Sequence, residues 1–140
     1  MGTRPTKVQA YFETAEVWAK QATCLKRQVG AVLVKGGFVI ATAFNGAPAG
    51  WPHCTEVGCF IVDGKCVRTV HAEENAIYQA ARAGHSTQGA MLYCTLQPCF
   101  KCTMALLSAG VTEFHWLEDH ERFPNINQVR AGWPGNTSTI

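Results

Sequence analysis

The chain has 140 residues, 47% hydrophobic and 16% charged, a balance that excludes an intrinsically disordered protein and fits a single domain over 1–140. Twelve basic and ten acidic residues leave a net charge of +2 with no like-charge run, so no extended nucleic-acid surface and no nucleic-acid partner is expected. No apolar run is long enough to span a membrane and no signal-peptide core opens the chain. Seven cysteines, an odd number, point to a reducing cytoplasm rather than a disulfide framework.

Taken in order, Tyr11, Phe12, Ala15, Trp18, Ala19 and Ala22 recur at helical spacing and predict a first helix over 7–22 with one stripe facing a core. Val29–Val34 and Phe38–Phe44 flank Lys35-Gly36-Gly37, which predicts a hairpin, and both strands are apolar enough to be buried on both faces. Asn45-Gly46-Ala47-Pro48-Ala49-Gly50 follows as a loop. It is either an ordinary turn or a nest of backbone N–H groups suited to an anion.

Residues 51–70 show no regular period, and His53, Cys54, Cys59 and Cys66 fall within fourteen positions. Soft thiolates that close together suggest Zn²⁺, and Cys24, just before the hairpin, is grouped with Cys54, Cys59 and Cys66 as a second, structural site. The alternative is that some of them are small buried core residues. A helix is predicted over 71–83 and a strand over 90–96, after which Pro98 opens a third helix. A last strand covers 111–117. Strand–helix–strand after residue 89 implies a parallel pair, so the fold class is α/β: three αβα layers around a mixed sheet of four to five strands. Residues 118–140 read as an irregular tail, with a short helix near 125–131 compatible with the pattern and no fifth strand placed.

Two stretches carry the chemistry. His71-Ala72-Glu73 and Pro98-Cys99-Phe100-Lys101-Cys102 together offer one imidazole, two thiolates and one carboxylate not needed as a ligand. Three N/S ligands leave the fourth tetrahedral position of Zn²⁺ open for water, which distinguishes a catalytic site from a closed structural one. Cys99 and Cys102, three apart at a helix start, share a face where the dipole favours thiolate. Glu73 is the group that would handle the water's protons. The competing readings are half a structural zinc knuckle, a redox pair, or a plain helix-start carboxylate.

The H-x-E…P-C-x-x-C pattern resembles the zinc-deaminase signature of the cytidine/deoxycytidylate deaminase superfamily. The fuller resemblance is to the deoxycytidylate (dCMP) deaminases. It is carried by Arg27-Gln28-Val29-Gly30-Ala31-Val32, Phe44 to Gly50, Arg68 to Ile77, Gly89 to Leu96 and Pro98-Cys99-Phe100-Lys101-Cys102, in matching order over roughly residues 10–117. The resemblance implies a cytidine-deaminase-like fold with a five-stranded sheet. It implies hydrolysis of dCMP to dUMP and ammonia, feeding dTMP synthesis, with His71, Cys99 and Cys102 on a catalytic zinc and Glu73 as base and then acid. It also implies a homo-oligomer, often a hexamer, activated by dCTP with Mg²⁺ and inhibited by dTTP. Asn45 would bond the deoxyribose 3′-OH, and the backbone near Ala72, Thr95 and Leu96 would hold the base. Lys26 and Arg27 are the nearest cations for the 5′-phosphate, with ordinary surface charge as the alternative. Arg27, Gln28, Asn45, Gly46 and Gly50 would form the effector site.

Three features depart from that family's pattern. Its fourth helix and last strand are not evident here, the second zinc set would be all thiolate, and Trp116 stands where Tyr is more usual. The runners-up are a deaminase of another cytosine nucleotide or nucleoside, or of tRNA adenosine. From a different class, a non-catalytic zinc-binding module would leave Glu73 without a task.

Overall fold

The computed structural model describes residues 2–120 and the backbone of 136–139. Helix α1 spans Lys7–Ala19. Thr6 and Gln9 start it by capping each other: the Thr6 hydroxyl accepts from the Gln9 N–H at 3.1 Å and the Gln9 side-chain carbonyl from the Thr6 N–H at 2.8 Å. Two orphan donors are satisfied at once.

Strands β1 (Gly30–Lys35) and β2 (Phe38–Phe44) form the predicted antiparallel hairpin, with Lys35 opposite Phe38. Gly36 and Gly37 adopt φ of 60° and 81°, the left-handed pair that a two-residue turn of this hand requires. The sheet continues through β5 (Met91–Leu96), antiparallel to β1, then β6 (Glu113–Glu118) and β7 (Asn136–Thr139), both parallel to their predecessors. Its order is β2-β1-β5-β6-β7, a mixed five-stranded sheet. The tail therefore contributes one strand where the sequence placed none. The helix expected near 125–131 lies outside the described residues.

Period-two alternation splits β1 between two layers. Val32 and Val34 join Phe12 and Ala15 of α1 on one face. Ala31 and Leu33 join Leu92 and Cys94 on the other, under Ala72, Ala76 and Ala80 of α3 (Ala72–Arg82) and Leu106 of α4 (Phe100–Ser108). This is the three-layer αβα arrangement. β1 is buried on both faces as expected, but β2 is not: it is the sheet edge, with Phe38 75% and Val39 43% exposed.

Gly30 permits the α1 contact, because a Cβ there would lie 1.8 Å from the Ala15 carbonyl oxygen. Residues 51–70 carry a one-turn helix, α2 (Cys54–Val57), and a small ribbon of β3 (Ile61–Val62) and β4 (Lys65–Cys66) turned by Asp63 and Gly64 at positive φ. Among the described residues no helix is long and apolar enough to cross a membrane.

Candidate active site

The starts of α3 and α4 meet. His71 is the N-cap of α3, and Cys99, rather than Pro98, precedes the first turn of α4 as its N-cap. The Cys99 sulfur accepts the Cys102 N–H at 3.4 Å, so the ligand pair is locked by the helix it starts. Thr103 steadies the same turn, its hydroxyl donating to the Cys99 carbonyl at 2.9 Å.

His71 Nδ1 lies 3.6 Å from Cys99 Sγ and 3.3 Å from Cys102 Sγ. Tetrahedral Zn²⁺ with ordinary Zn–N and Zn–S bonds separates such atoms by about 3.6 Å. The three ligand atoms lie within 4.8 Å of one another, so spacing and donor chemistry both fit that ion. His71 reaches the surface and Cys102 is fully buried. Donation from Cys102 and the neighbouring His71 imidazole bring the Cys99 thiol down to about 4. The hydrogen bond to Cys99 raises His71 in turn, and the Cys102 thiol is pushed up by the Cys99 it donates to. The cluster is thus built to carry thiolate charge.

Glu73 follows on the first turn of α3 and is only 4% exposed. Burial pushes its carboxyl above the ordinary glutamate value, partly offset by the charge of His71. Its Oε1 accepts from the Cys94 thiol of β5 at 3.7 Å. Next to it, Glu74 Oε2 accepts from the Tyr78 hydroxyl at 2.9 Å, and Glu74 Oε1 lies 3.7 Å from Cys102 Sγ. Neither contact was read from the sequence. Position 78 is one turn after Glu74, a spacing that could have revealed the pair.

The residues assigned to the nucleotide lie on the turn into β1, just after β2, late in β5 and at the start of α3. Asn45 is buried, with Oδ1 accepting from Val29 N–H at 2.8 Å and Nδ2 donating to the Arg27 carbonyl at 2.7 Å. It holds the chain entering β1, and toward the described residues one proton of Nδ2 and one lone pair of Oδ1 stay uncommitted. Thr95 Oγ1 accepts from Gly30 N–H at 3.2 Å, and Ala72 and Leu96 are buried. The Arg27 guanidinium pairs with Glu118 at 2.9 Å on the surface, and Lys26 is exposed. Gln28 is exposed, its Nε2 donating to the Cys24 carbonyl at 3.0 Å. Gly46 and Val70 exchange two backbone hydrogen bonds, N–H to O at 3.2 and 2.9 Å, and so tie the loop to the residue before His71. Gly50, at φ 84°, turns that loop away with open space around it.

A second group of ligand atoms is formed by Cys54, Cys59 and Cys66, again within 4.8 Å of one another. Cys54 and Cys66 sulfurs stand 3.6 Å apart, against about 3.8 Å for two thiolates on one tetrahedral zinc. Burial pushes Cys54 up to about 12. Burial opposes ionisation of Cys66 most strongly of any one cause, but backbone hydrogen bonds at Arg68 and Phe60 together with those from Cys54 and Cys59 bring that thiol down to about 7. Cys24, grouped with these by the sequence, stands outside the cluster: it is buried before the hairpin. Nor is His53 in it, since its Nδ1 is 3.0 Å from Thr23 Oγ1.

A family model described as the cytidine and deoxycytidylate deaminase zinc-binding region matches residues 5–118. ComE operon protein 2 of Bacillus subtilis is 37% identical over 121 residues, covering 86% of this chain and 64% of that protein. The deoxycytidylate deaminase of Schizosaccharomyces pombe is 40% identical over 118 residues, covering 79% of this chain. This chain spans only 36% of that enzyme's length. Among solved structures, dCMP deaminase from the cyanophage S-TIM5, in complex with dCMP and dUMP, superposes with a TM-score of 0.84 at 29% identity. That match covers 99% of this chain and 100% of the cyanophage chain. With these matches added to the converging His71, Cys99 and Cys102, the chain belongs to the cytidine and deoxycytidylate deaminase family.

Proposed function

We propose that this chain hydrolyses dCMP to dUMP and ammonia, as a single zinc-dependent domain in the cytoplasm that feeds dTMP synthesis. The observation that carries the proposal is a buried carboxylate, Glu73, beside three converging metal-ligand atoms. Its support from outside the chain is the deoxycytidylate deaminase name of the fission-yeast relative and the dCMP and dUMP of the cyanophage structure.

Zinc held by His71, Cys99 and Cys102 supplies the Lewis acid that makes water nucleophilic near neutral pH. Glu73 takes a proton from the attacking water and passes it to N3 of cytosine, which draws electrons from C4 as the water oxygen bonds there. The same carboxylate carries the second proton to the amine, the C4–N bond breaks, and ammonia leaves. A carboxyl raised by burial is a stronger base than an ordinary glutamate, which suits it to take the water's proton before it gives that proton up. The backbone at Ala72, Thr95 and Leu96 holds the base, and Asn45 takes the 3′-OH with its uncommitted proton or lone pair. Arg27 reaches the 5′-phosphate by leaving Glu118, an exposed pair worth no more than about 1 kcal/mol. Lys26 lies beside it.

Cys54, Cys59 and Cys66 would supply three of the four ligands that a closed, structural Zn²⁺ site needs, and such an ion would staple the irregular segment leading to His71. The loop 46–50, with Gln28, receives dCTP or dTTP with Mg²⁺ in a homohexamer. Effectors of this kind shift apparent affinity about five- to a hundred-fold.

The deciding experiment is the purified, zinc-loaded chain against dCMP, CMP, deoxycytidine, adenosine and tRNA, following ammonia. Turnover confined to dCMP is expected, sigmoidal alone and hyperbolic with dCTP. Preference for another substrate overturns the assignment, and hyperbolic curves indifferent to both triphosphates remove the effector site alone.

A further inference from the structure

We propose that Cys94 is a positioning residue for the deamination: its thiol donates to Oε1 of Glu73 and fixes that carboxylate in one rotamer, leaving Oε2 to move the protons. The contact is 3.7 Å long, and both groups are buried, Cys94 completely and Glu73 to within 4%.

The platform is rigid. Cys94 sits mid-strand in β5, paired with Ala31 of β1 on one side and Trp116 of β6 on the other. Its side chain points into the layer filled by Ala72 and Ala76 of α3, the helix that carries Glu73. Neither strand nor helix can shift without breaking that packing, so the sulfur has one place to be.

Chemistry decides the direction of the bond. Burial and the charge of Glu73 push the Cys94 thiol well up, so it stays protonated and acts as a donor. The other thiol near this carboxylate, Cys102, belongs to the candidate metal-ligand set, and as a ligand it would bind through its thiolate and have no proton to donate. Cys94 stands outside both ligand sets. A glutamate with several rotatable bonds loses reactive geometry when one oxygen is free to swing, and a sub-ångström misplacement of a proton carrier is costly. An S–H donor is weak, so the contribution is one of geometry and its size is modest.

This inference rests on the deaminase assignment, and its test separates the two. Cys94→Ala in the zinc-loaded chain should lower kcat for dCMP about three- to tenfold with KM unchanged, the size of one lost hydrogen bond. Cys94→Ser, which restores a donor, should recover kcat to within about twofold. The S–H infrared band isolated by the wild-type minus Cys94→Ser difference should lie on the hydrogen-bonded side. It should move to the free position in Glu73→Ala. This measurement needs no turnover and decides the contact even where Cys94→Ala does not fold. An unchanged kcat in Cys94→Ala, equal losses in the Ala and Ser variants, or a band indifferent to Glu73→Ala overturns the inference. A wild-type chain inactive on dCMP fails the deaminase assignment, and the band still reports whether the thiol holds the carboxylate.

Discussion

Substituting Gly30 by alanine tests how the active-site strand is held under α1. The added methyl would stand 1.8 Å from the Ala15 carbonyl oxygen, 2.8 Å from its carbon and 2.7 Å from the Ala19 nitrogen. Each of these atoms is backbone, so no side chain can swing aside. Restoring a 3.4 Å contact to that oxygen requires α1 to withdraw by about 1.6 Å, which opens the layer that buries Phe12 and Ala15. Overpacking typically costs about 1–3 kcal/mol, and two backbone walls put this site at the upper end. The reduced freedom of the unfolded chain returns about 0.4–1 kcal/mol, since Gly30 is not among the positive-φ glycines. A net loss of about 2–3 kcal/mol should lower the melting temperature by roughly 8–12 °C for a domain of this size. Circular dichroism melts of the zinc-loaded proteins, with urea midpoints at unchanged m-value, provide the measurement. A shift under about 2 °C would mean that α1 does not press on β1 as described.

Glu73→Ala should keep its zinc, measured by elemental analysis, and lose about 10²- to 10⁴-fold in turnover on the same sample. Substantial residual activity would remove Glu73 from the chemistry. Two zinc ions per chain are expected, and Cys59→Ser should lose one of them and a large part of the stability while changing kcat little. One zinc in the wild-type chain after chelator washing would sink the second site. Asn45→Ala strips partners from the Val29 N–H and the Arg27 carbonyl and should cost about 2 kcal/mol in urea unfolding, with a raised KM for dCMP. A raised KM at full stability would mean that Asn45 serves the nucleotide without holding β1.

The convergence of His71, Cys99 and Cys102 was legible because the spacing of candidate metal ligands is a chemical demand: Cys99 and Cys102 three apart on a helix start, with His71 capping another. What the sequence hides is set by neighbours. Phe38, Val39 and Ile40 look like a buried strand, yet among the described residues nothing pairs beyond β2, and only the sheet order reveals that. Asn136–Thr139 carries no hydrophobic alternation, so its place beside β6 is invisible to pattern. Cys24 lies at a plausible distance along the chain from Cys54, Cys59 and Cys66, but the turn into β1 buries it elsewhere. The Thr6-x-x-Gln9 cap is readable from residue types alone, whereas the buried Gln97, whose Nε2 has no hydrogen-bond partner among the described residues, is set by the fold around it.

The two backbone bonds between Gly46 and Val70 act as a latch. Asn75 reinforces them from α3, its Nδ2 donating to the Phe44 carbonyl at 2.9 Å and reaching the Val70 carbonyl at 3.4 Å. Residues 44–46 and 70–75 thus open together or not at all, and their amides should exchange with solvent as one cooperative unit. Because His71 is the next residue along, a fluctuation that frees the loop after β2 should also loosen this candidate metal ligand. Slow exchange of the Gly46 and Val70 amides would therefore report, without any substrate, how long the ligand set stays assembled.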